Sequence, residues 1–356
     1  MRKLTREIKI GNVGIGGDNP VRVQTMNSLP LNLVKENIEQ IIKTIEFGNE
    51  LIRVALPDFD QIKYFKEITS HSPIPVIADI HFHHKLAIES LKAGAKAIRI
   101  NPGNFGNKKN LIEIIKALKD YNAAVRIGVN SGSLDKNILK KHGTRSAEAI
   151  VESALEFIKV FEDNDFYNIK VSLKSSDIYT TINSYRLFST KSEYPLHIGV
   201  TEAGPIPEGI IKSSVALGTL LMEGIGDTIR ISLTAPPEEE VKVCWELLGS
   251  LGIRRKFPEI ISCPLCGRAT VNFEKRLKEI IPEIKKRKLP IKVAVMGCEV
   301  NGPGEAREAD IGIAFSQGVA FLFKKGVIYK RGKEEEIIKE FLKTLEIMEN
   351  ERGSLL

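Results

Sequence analysis

Short runs of β-branched and aliphatic residues alternate with longer stretches of helical periodicity through the first two-thirds of the chain. Eight such runs can be read: Val21–Met26, Leu51–Ala55, Pro75–Asp79, Ala97–Asn101, Ala124–Val129, Asn168–Leu173, Pro195–Val200 and Thr228–Leu233. Each precedes a segment of helical character, for example Leu111–Asp120, Ala147–Glu162 and Glu238–Leu251. Strands alternating with helices imply βαβ units and a parallel sheet. Eight units in roughly 230 residues match a closed (β/α)8 TIM barrel in count and length. An open doubly wound sheet is the alternative, but no Gly-x-Gly-x-x-Gly follows the first strand, which weakens it. Upstream, Glu7–Gly17 reads as a short hairpin that would plug the barrel floor.

The pattern changes after Phe257-Pro258. A short strand from Ile260 runs into CPLCG; a basic helix follows over Glu274–Arg287, then a strand over Ile291–Met296. The turn GCEVNGPGEA leads to a strand over Asp310–Ala314, a hairpin reaching Tyr329, and an amphipathic helix over Glu334–Asn350. The expected organisation is therefore α/β: a TIM-barrel substrate-binding domain over 1–258, then a small α+β domain over 259–356.

Composition narrows the setting. No apolar stretch is long enough to span a bilayer. The opening MRKLTREIKIGN is polar and lacks the apolar centre of a secretory signal, so a cytoplasmic enzyme is expected. The net charge of +7 raises the question of a nucleic-acid partner. Yet the dense basic runs, Arg254–Lys256 and Lys285–Lys288, read as solvated charge, and aromatic residues are not interleaved with them. Neither nucleic acid nor a membrane is expected as a partner.

The chemistry is expected at the C-terminal ends of the barrel strands. Those ends carry Arg53, Asp79 and His81, Arg99 and Asn101, Arg126 and Asn130, Lys174, His197 and Glu202, and Arg230 with Ser232. An arginine inside a β-branched run is costly to bury unpaired. One such residue usually marks a structural ion pair. Arg53, Arg99, Arg126 and Arg230, at matching places in separate strands, would converge on one mouth. Guanidinium forks suit phosphate, so with Lys174 they point to a ligand carrying more than one phosphate. In the loop GPIPEGIIKSSV, Lys212 is a further phosphate candidate, and Ser213 is better suited to N-capping the following helix.

The four cysteines are too few for a disulfide framework in a chain of this size. Cys244 lies in a helical pattern and reads as a small buried apolar residue. Cys263-Pro-Leu-Cys266-Gly is a metal-binding knuckle, and Cys298 lies in AVMGCEVNGPGEA. Zinc would want a fourth sulfur or a histidine, and the second domain has no histidine. A cluster with three thiolates and one oxygen or exogenous ligand fits better, with Glu299 and Glu305 as the near carboxylates. A zinc-dependent, phosphate-binding barrel lyase or isomerase is the alternative.

The stretches VRVQTM, VIADIHF, IRINPGN, VRIGVNSGS, HIGVTEAG, GIGDTIRISLT, SCPLCGR and VAVMGCEVNGPGEA span nearly the whole chain. Together they resemble the 4-hydroxy-3-methylbut-2-en-1-yl diphosphate synthases of the non-mevalonate (MEP) isoprenoid pathway, in their compact bacterial form. The resemblance implies an iron–sulfur oxidoreductase acting on 2-C-methyl-D-erythritol 2,4-cyclodiphosphate, with electrons from flavodoxin or ferredoxin. It implies a [4Fe–4S] cluster held by Cys263, Cys266, Cys298 and Glu305, with Glu305 yielding its iron to a substrate oxygen during turnover. It implies that Arg53, Arg99, Arg126, Lys174, Arg230 and Ser232 grip the diphosphate, with Asn130, Asp79 and His81 lining the same mouth. Glu202 would lie near the reacting carbons as a proton donor. A head-to-tail homodimer with shared active sites is also implied. Two departures stand out: Thr25 replaces the family's usual serine but keeps its hydroxyl, and Pro205 and Pro207 would stiffen a loop that is more often glycine-containing.

Overall fold

The computed structural model describes residues 2–81, 83–102, 108–134, 136–266, 269, 272–298 and 307–353. The chain forms two compact units, Met1–Leu247 and Leu248–Leu356.

In the first unit the expected strands appear as β3 (Arg22–Met26), β4 (Leu51–Ala55), β5 (Val76–Asp79), β6 (Ala97–Ile100), β7 (Ala124–Asn130), β8 (Ile169–Lys174), β9 (His197–Ile198) and β10 (Thr228–Ile229). They form one parallel sheet in the order β8-β7-β6-β5-β4-β3-β10-β9. A parallel bridge between Val171 and Leu196 brings its two ends together. The Val171 N–H donates to the Pro195 carbonyl at 3.0 Å across that seam. The sheet is thus closed into the expected TIM barrel.

The helices around it follow from local chemistry. Ala147–Glu162 coincides with the span read from periodicity. Ser146 caps it by accepting from the Ala149 N–H at 3.3 Å, and Ile150, Ala154, Phe157, Ile158 and Phe161 bury its apolar face. Asp177 caps Ile178–Lys191 in the same way, accepting from the Thr180 N–H at 2.6 Å. Each cap contributes about 1 kcal/mol by satisfying a donor the helix cannot. Ser213 does not cap its helix. That helix spans Glu208–Met222, so Ser213 falls in its second turn, buried, with no partner for its hydroxyl.

The N-terminal hairpin pairs β1 (Ile8–Ile10) with β2 (Val13–Ile15). Its Ile8, Ile10 and Ile15 pack against Leu51, Ile77, Ala97 and Ala124, which lie near the starts of four barrel strands. The floor of the barrel is therefore apolar and sealed. Asp79, Asn130 and Lys174 are the last residues of their strands, at the opposite end of the barrel from this floor.

The second unit holds a five-stranded sheet, β11 (Glu259–Ser262), β12 (Lys292–Met296), β13 (Ile311–Ser316), β14 (Val319–Lys324) and β15 (Val327–Lys333), in that order. Its first three strands run parallel, and the last two form antiparallel hairpins. Helices Phe273–Lys285 and Glu334–Gly353 contribute Ile280, Ile284, Ile337, Phe341 and Leu345 to one apolar core with the sheet. The basic runs are at least partly paired with surface carboxylates, Arg255 with Glu259 and Arg287 with Glu349. Among the described residues no helix is long and apolar enough to cross a membrane.

Candidate active site

Strand register assembles the barrel site. Asp79 pairs with Arg99, Arg99 with Arg126, and Arg126 with Lys170 across four neighbouring strands. Residues in register on adjacent strands share a face, so this is one charged row inside the barrel. Four residues further along β7 and β8, Asn130 is in register with Lys174.

Asp79 is the row's acid, 4% exposed. Arg53 Nε lies 3.6 Å from one of its oxygens and His81 Nε2 3.7 Å from the same oxygen. Arg99 Nη1 donates to the other at 3.4 Å. Burial alone would raise its pKa, but Arg53, the adjacent His81, Arg99 and Arg126 together hold it well below the usual carboxylate range. Burial in turn pulls the Arg53 guanidinium down to about 10, against the opposing pull of Asp79.

Among the described residues Arg126 and Lys174 lack such an acid. Arg126 is 2% exposed, and its Nε and Nη1 have no hydrogen-bond partner. The Lys174 ammonium, 7% exposed, meets only the His197 Nε2 at 3.5 Å among its described polar contacts. Lys170 lies deeper, fully buried, and donates to Gln24 Oε1 at 3.2 Å. Burial comes first in depressing all three, followed by neighbouring arginines: Arg53 and Arg99 act on Arg126, and Arg126 acts on both lysines. Burial and then Lys174 hold His197 neutral, well below its ordinary value. Two glycines on the inner face make room for these long cations. A Cβ on Gly128 would stand 2.9 Å from Arg99 Nε. One on Gly199 would stand 2.5 Å from Lys174 Nζ and 2.7 Å from the Arg230 carbonyl oxygen.

Arg230 is held differently. Its Nε and Nη2 donate to the two oxygens of Glu240 at 3.0 and 3.1 Å. Ser232 lies half-buried just beyond it, and Glu202 is exposed in the loop after β9. Glu202 has φ +53°, a left-handed conformation that costs a non-glycine residue energy and is often found at functional sites. The barrel thus brings Arg53, Asp79, His81, Arg99, Arg126 and Arg230 into one electrostatic cluster with Lys174.

In the second unit, Cys263 follows β11 and Cys298 follows the adjacent parallel strand β12, with Ser262 in register with Val295. The Gly297 N–H donates to the Cys263 sulfur at 3.1 Å. Cys298 is buried and Cys266 exposed, and neither they nor Cys263 form a disulfide. Among the described residues, no three Cys, His, Asp or Glu side chains are drawn together at metal-binding spacing. Glu305, the expected fourth ligand, and Glu299 lie outside the described residues. The donor set itself suits iron and sulfide: soft thiols on neighbouring strand ends, one already accepting an N–H···S bond of the kind that stabilises a charged cluster sulfur. Cys244 stands apart, with burial pushing its thiol up to about 12.

Sequence reading missed Glu240, Lys170 and Gln24, and noted the Thr25 hydroxyl without its partner Glu240. Lys170 carried a usable signal, since it lies four residues before Lys174 in one strand and so shares its face. Glu240 carried none, because Glu238, Glu239 and Glu240 together look like ordinary acidic charge in a helix's first turn.

A family profile described as "GcpE TIM-barrel domain" matches residues 5–245, and one described as "GcpE protein C-terminal domain" matches 259–347. The chain is 51% identical over 344 residues to the 4-hydroxy-3-methylbut-2-en-1-yl diphosphate synthase (flavodoxin) of Thermodesulfovibrio yellowstonii, covering 97% of this chain and 99% of the relative. It is 50% identical over 351 residues to the enzyme of the same name from Caldanaerobacter subterraneus subsp. tengcongensis, covering 99% of each. Among solved structures, dihydropteroate synthase of Yersinia pestis aligns with a TM-score of 0.49 at 13% identity, over 69% of this chain and 97% of that one.

Proposed function

The chain belongs to the GcpE family, the flavodoxin-dependent 4-hydroxy-3-methylbut-2-en-1-yl diphosphate synthases, and we propose how its residues divide that family's reaction between them. The enzyme is an iron–sulfur oxidoreductase of the non-mevalonate isoprenoid pathway. It opens the ring of 2-C-methyl-D-erythritol 2,4-cyclodiphosphate reductively, with loss of water, to give 4-hydroxy-3-methylbut-2-enyl diphosphate. The zinc lyase alternative would have no use for the electron carrier in its relatives' names.

One observation carries the division of roles: Arg126 and Lys174 are buried cations without a carboxylate partner among the described residues. Such a site is costly until an anion fills it, and a diphosphate would compensate both charges at once. Arg53 and Arg99, partly neutralised by Asp79, would flank that diphosphate. Arg230, Ser232 and Asn130 would complete its hydrogen bonds, with His81 at the rim. Holding the charged end fixed orients the carbon skeleton for reaction. Glu202 would deliver a carboxyl proton to the departing hydroxyl oxygen, so that water leaves rather than hydroxide.

Cys263, Cys266 and Cys298, with Glu305, would hold a [4Fe–4S] cluster. When bound, such a cluster supplies single electrons and a Lewis-acidic iron. Flavodoxin, or ferredoxin in its place, would deliver the electrons. The free thiols suit a reducing cytoplasmic setting. We further propose a head-to-tail homodimer in which each active site draws on both chains. Mixing a Cys298→Ser chain with an Arg126→Ala chain tests this: restored activity is expected, and none despite proven subunit exchange would place each site within one chain. The cluster is tested by iron and sulfide analysis of anaerobically purified protein. About four of each per chain are expected, and stoichiometric zinc without sulfide would overturn the assignment.

A further inference from the structure

Glu240 sits in the first turn of the helix Pro237–Ser250 and is 3% exposed. Its neighbours turn elsewhere, Glu238 to Lys43 and Glu239 to Lys242. Glu240 accepts four hydrogen bonds: from Arg230 Nε at 3.0 Å, Arg230 Nη2 at 3.1 Å, the Thr25 hydroxyl at 2.6 Å and the Leu233 N–H at 3.0 Å. Those bonds come from strand β3 and from the segment that follows β10. They are enough to fix the carboxylate's plane, and with it the plane of the Arg230 guanidinium.

Two consequences follow. Arg230 can turn only Nη1 and the outer edge of Nη2 toward a ligand, and its Nη1 now lies 3.6 Å from the Met26 sulfur. Arg53 presents Nε and Nη2 to the same sulfur at 3.2 and 2.9 Å, so the thioether separates two guanidiniums. Arg230 is also neutralised where it stands, whereas Arg126 and Lys174 have no carboxylate beside them among the described residues.

We infer that Glu240 is a positioning residue for the diphosphate clamp: it makes Arg230 a rigid donor of fixed direction and cancels its charge, leaving the attraction to Arg126 and Lys174. This deepens the reading of the barrel mouth as a diphosphate site and rests on it.

The test uses the anaerobic holoenzyme with reduced flavodoxin and compares wild type with Glu240→Gln in two readouts. One is the kcat and KM for the cyclic diphosphate, and the other is competitive inhibition by sulfate, a small anion that needs charge but little orientation. Loss of the fixed donor raises KM by about tenfold or more, with a much smaller change in kcat. Sulfate inhibits more strongly, because the mouth has gained an uncompensated positive charge. A merely structural role would weaken substrate and sulfate together, and that result, or two unchanged constants, overturns the inference. Thr25→Val provides the same test if Glu240→Gln does not fold. It removes one of the four bonds and keeps the charge, so KM should rise with sulfate inhibition unchanged, and an unaltered KM counts against the proposal. If the wild-type enzyme does not consume the cyclic diphosphate, the functional reading itself has failed. If it does, and Glu240→Gln matches it, only the role of Glu240 has.

Discussion

Replacing Arg126 with methionine should strengthen the fold and abolish the function. The guanidinium is buried on the inner face of β7, with Nε and Nη1 unpartnered and Lys170 in register beside it. Exchanging a poorly compensated buried charge for an apolar side chain of similar length gains about 1–4 kcal/mol. In a barrel of this size that corresponds to a rise of about 2–10 °C in apparent Tm. The same two nitrogens are the ones free to meet phosphate. Charged hydrogen bonds are worth about 1.5–3 kcal/mol each, so losing two costs about 3–6 kcal/mol of binding. That is a rise of about 10²–10⁴-fold in the KM for the cyclic diphosphate. The assay is anaerobic thermal unfolding at a fixed scan rate, beside steady-state kinetics on the same preparation, with the visible spectrum as a control for the cluster. A variant that melts lower than wild type and keeps its KM would show Arg126 to be a satisfied structural residue with no part in binding.

Three further outcomes are expected. Lys170→Met should be more stable than wild type at neutral pH. The unfolded lysine binds a proton that the folded one resists, so wild-type stability rises as pH climbs toward about 10.4, and the variant's advantage should shrink over that window; an advantage independent of pH in chemical denaturation would contradict this. Gly199→Ala places a methyl against the Arg230 carbonyl as well as the Lys174 ammonium. It should cost about 1–3 kcal/mol of stability and raise KM, since backbone cannot yield as a side-chain tip can; an unchanged melting curve would show that the barrel accommodates it. Glu305→Ala should retain iron and sulfide but lose them faster in air, with activity largely gone, and full activity would remove Glu305 as a functional ligand.

Much of this was legible in the chain. Arg53, Arg99, Arg126 and Arg230 announced themselves because arginine inside a β-branched run needs a reason, and strand register places Asp79, Arg99, Arg126 and Lys170 in one row. The hairpin at the barrel floor was legible from its length and its alternation. The limits were equally physical. Strands β9 and β10 hold ladder pairing over only two residues each, although the apolar runs around them are longer. The chain leaves the ladder at Gly199 and then turns through Glu202 at φ +53°, which hydrophobicity does not encode. Glu240 was hidden because its spacing is that of an ordinary helix start. Only the three-dimensional path of Arg230 shows which of three consecutive glutamates faces inward.

The most direct test of the account is the electron stoichiometry of ring opening. Anaerobic enzyme, reduced flavodoxin and the cyclic diphosphate are mixed, and flavodoxin oxidation is measured against linear diphosphate formed. Two electrons should be consumed for every ring opened. Ring opening without electron consumption would contradict it, and would recast the barrel as a hydrolase or lyase.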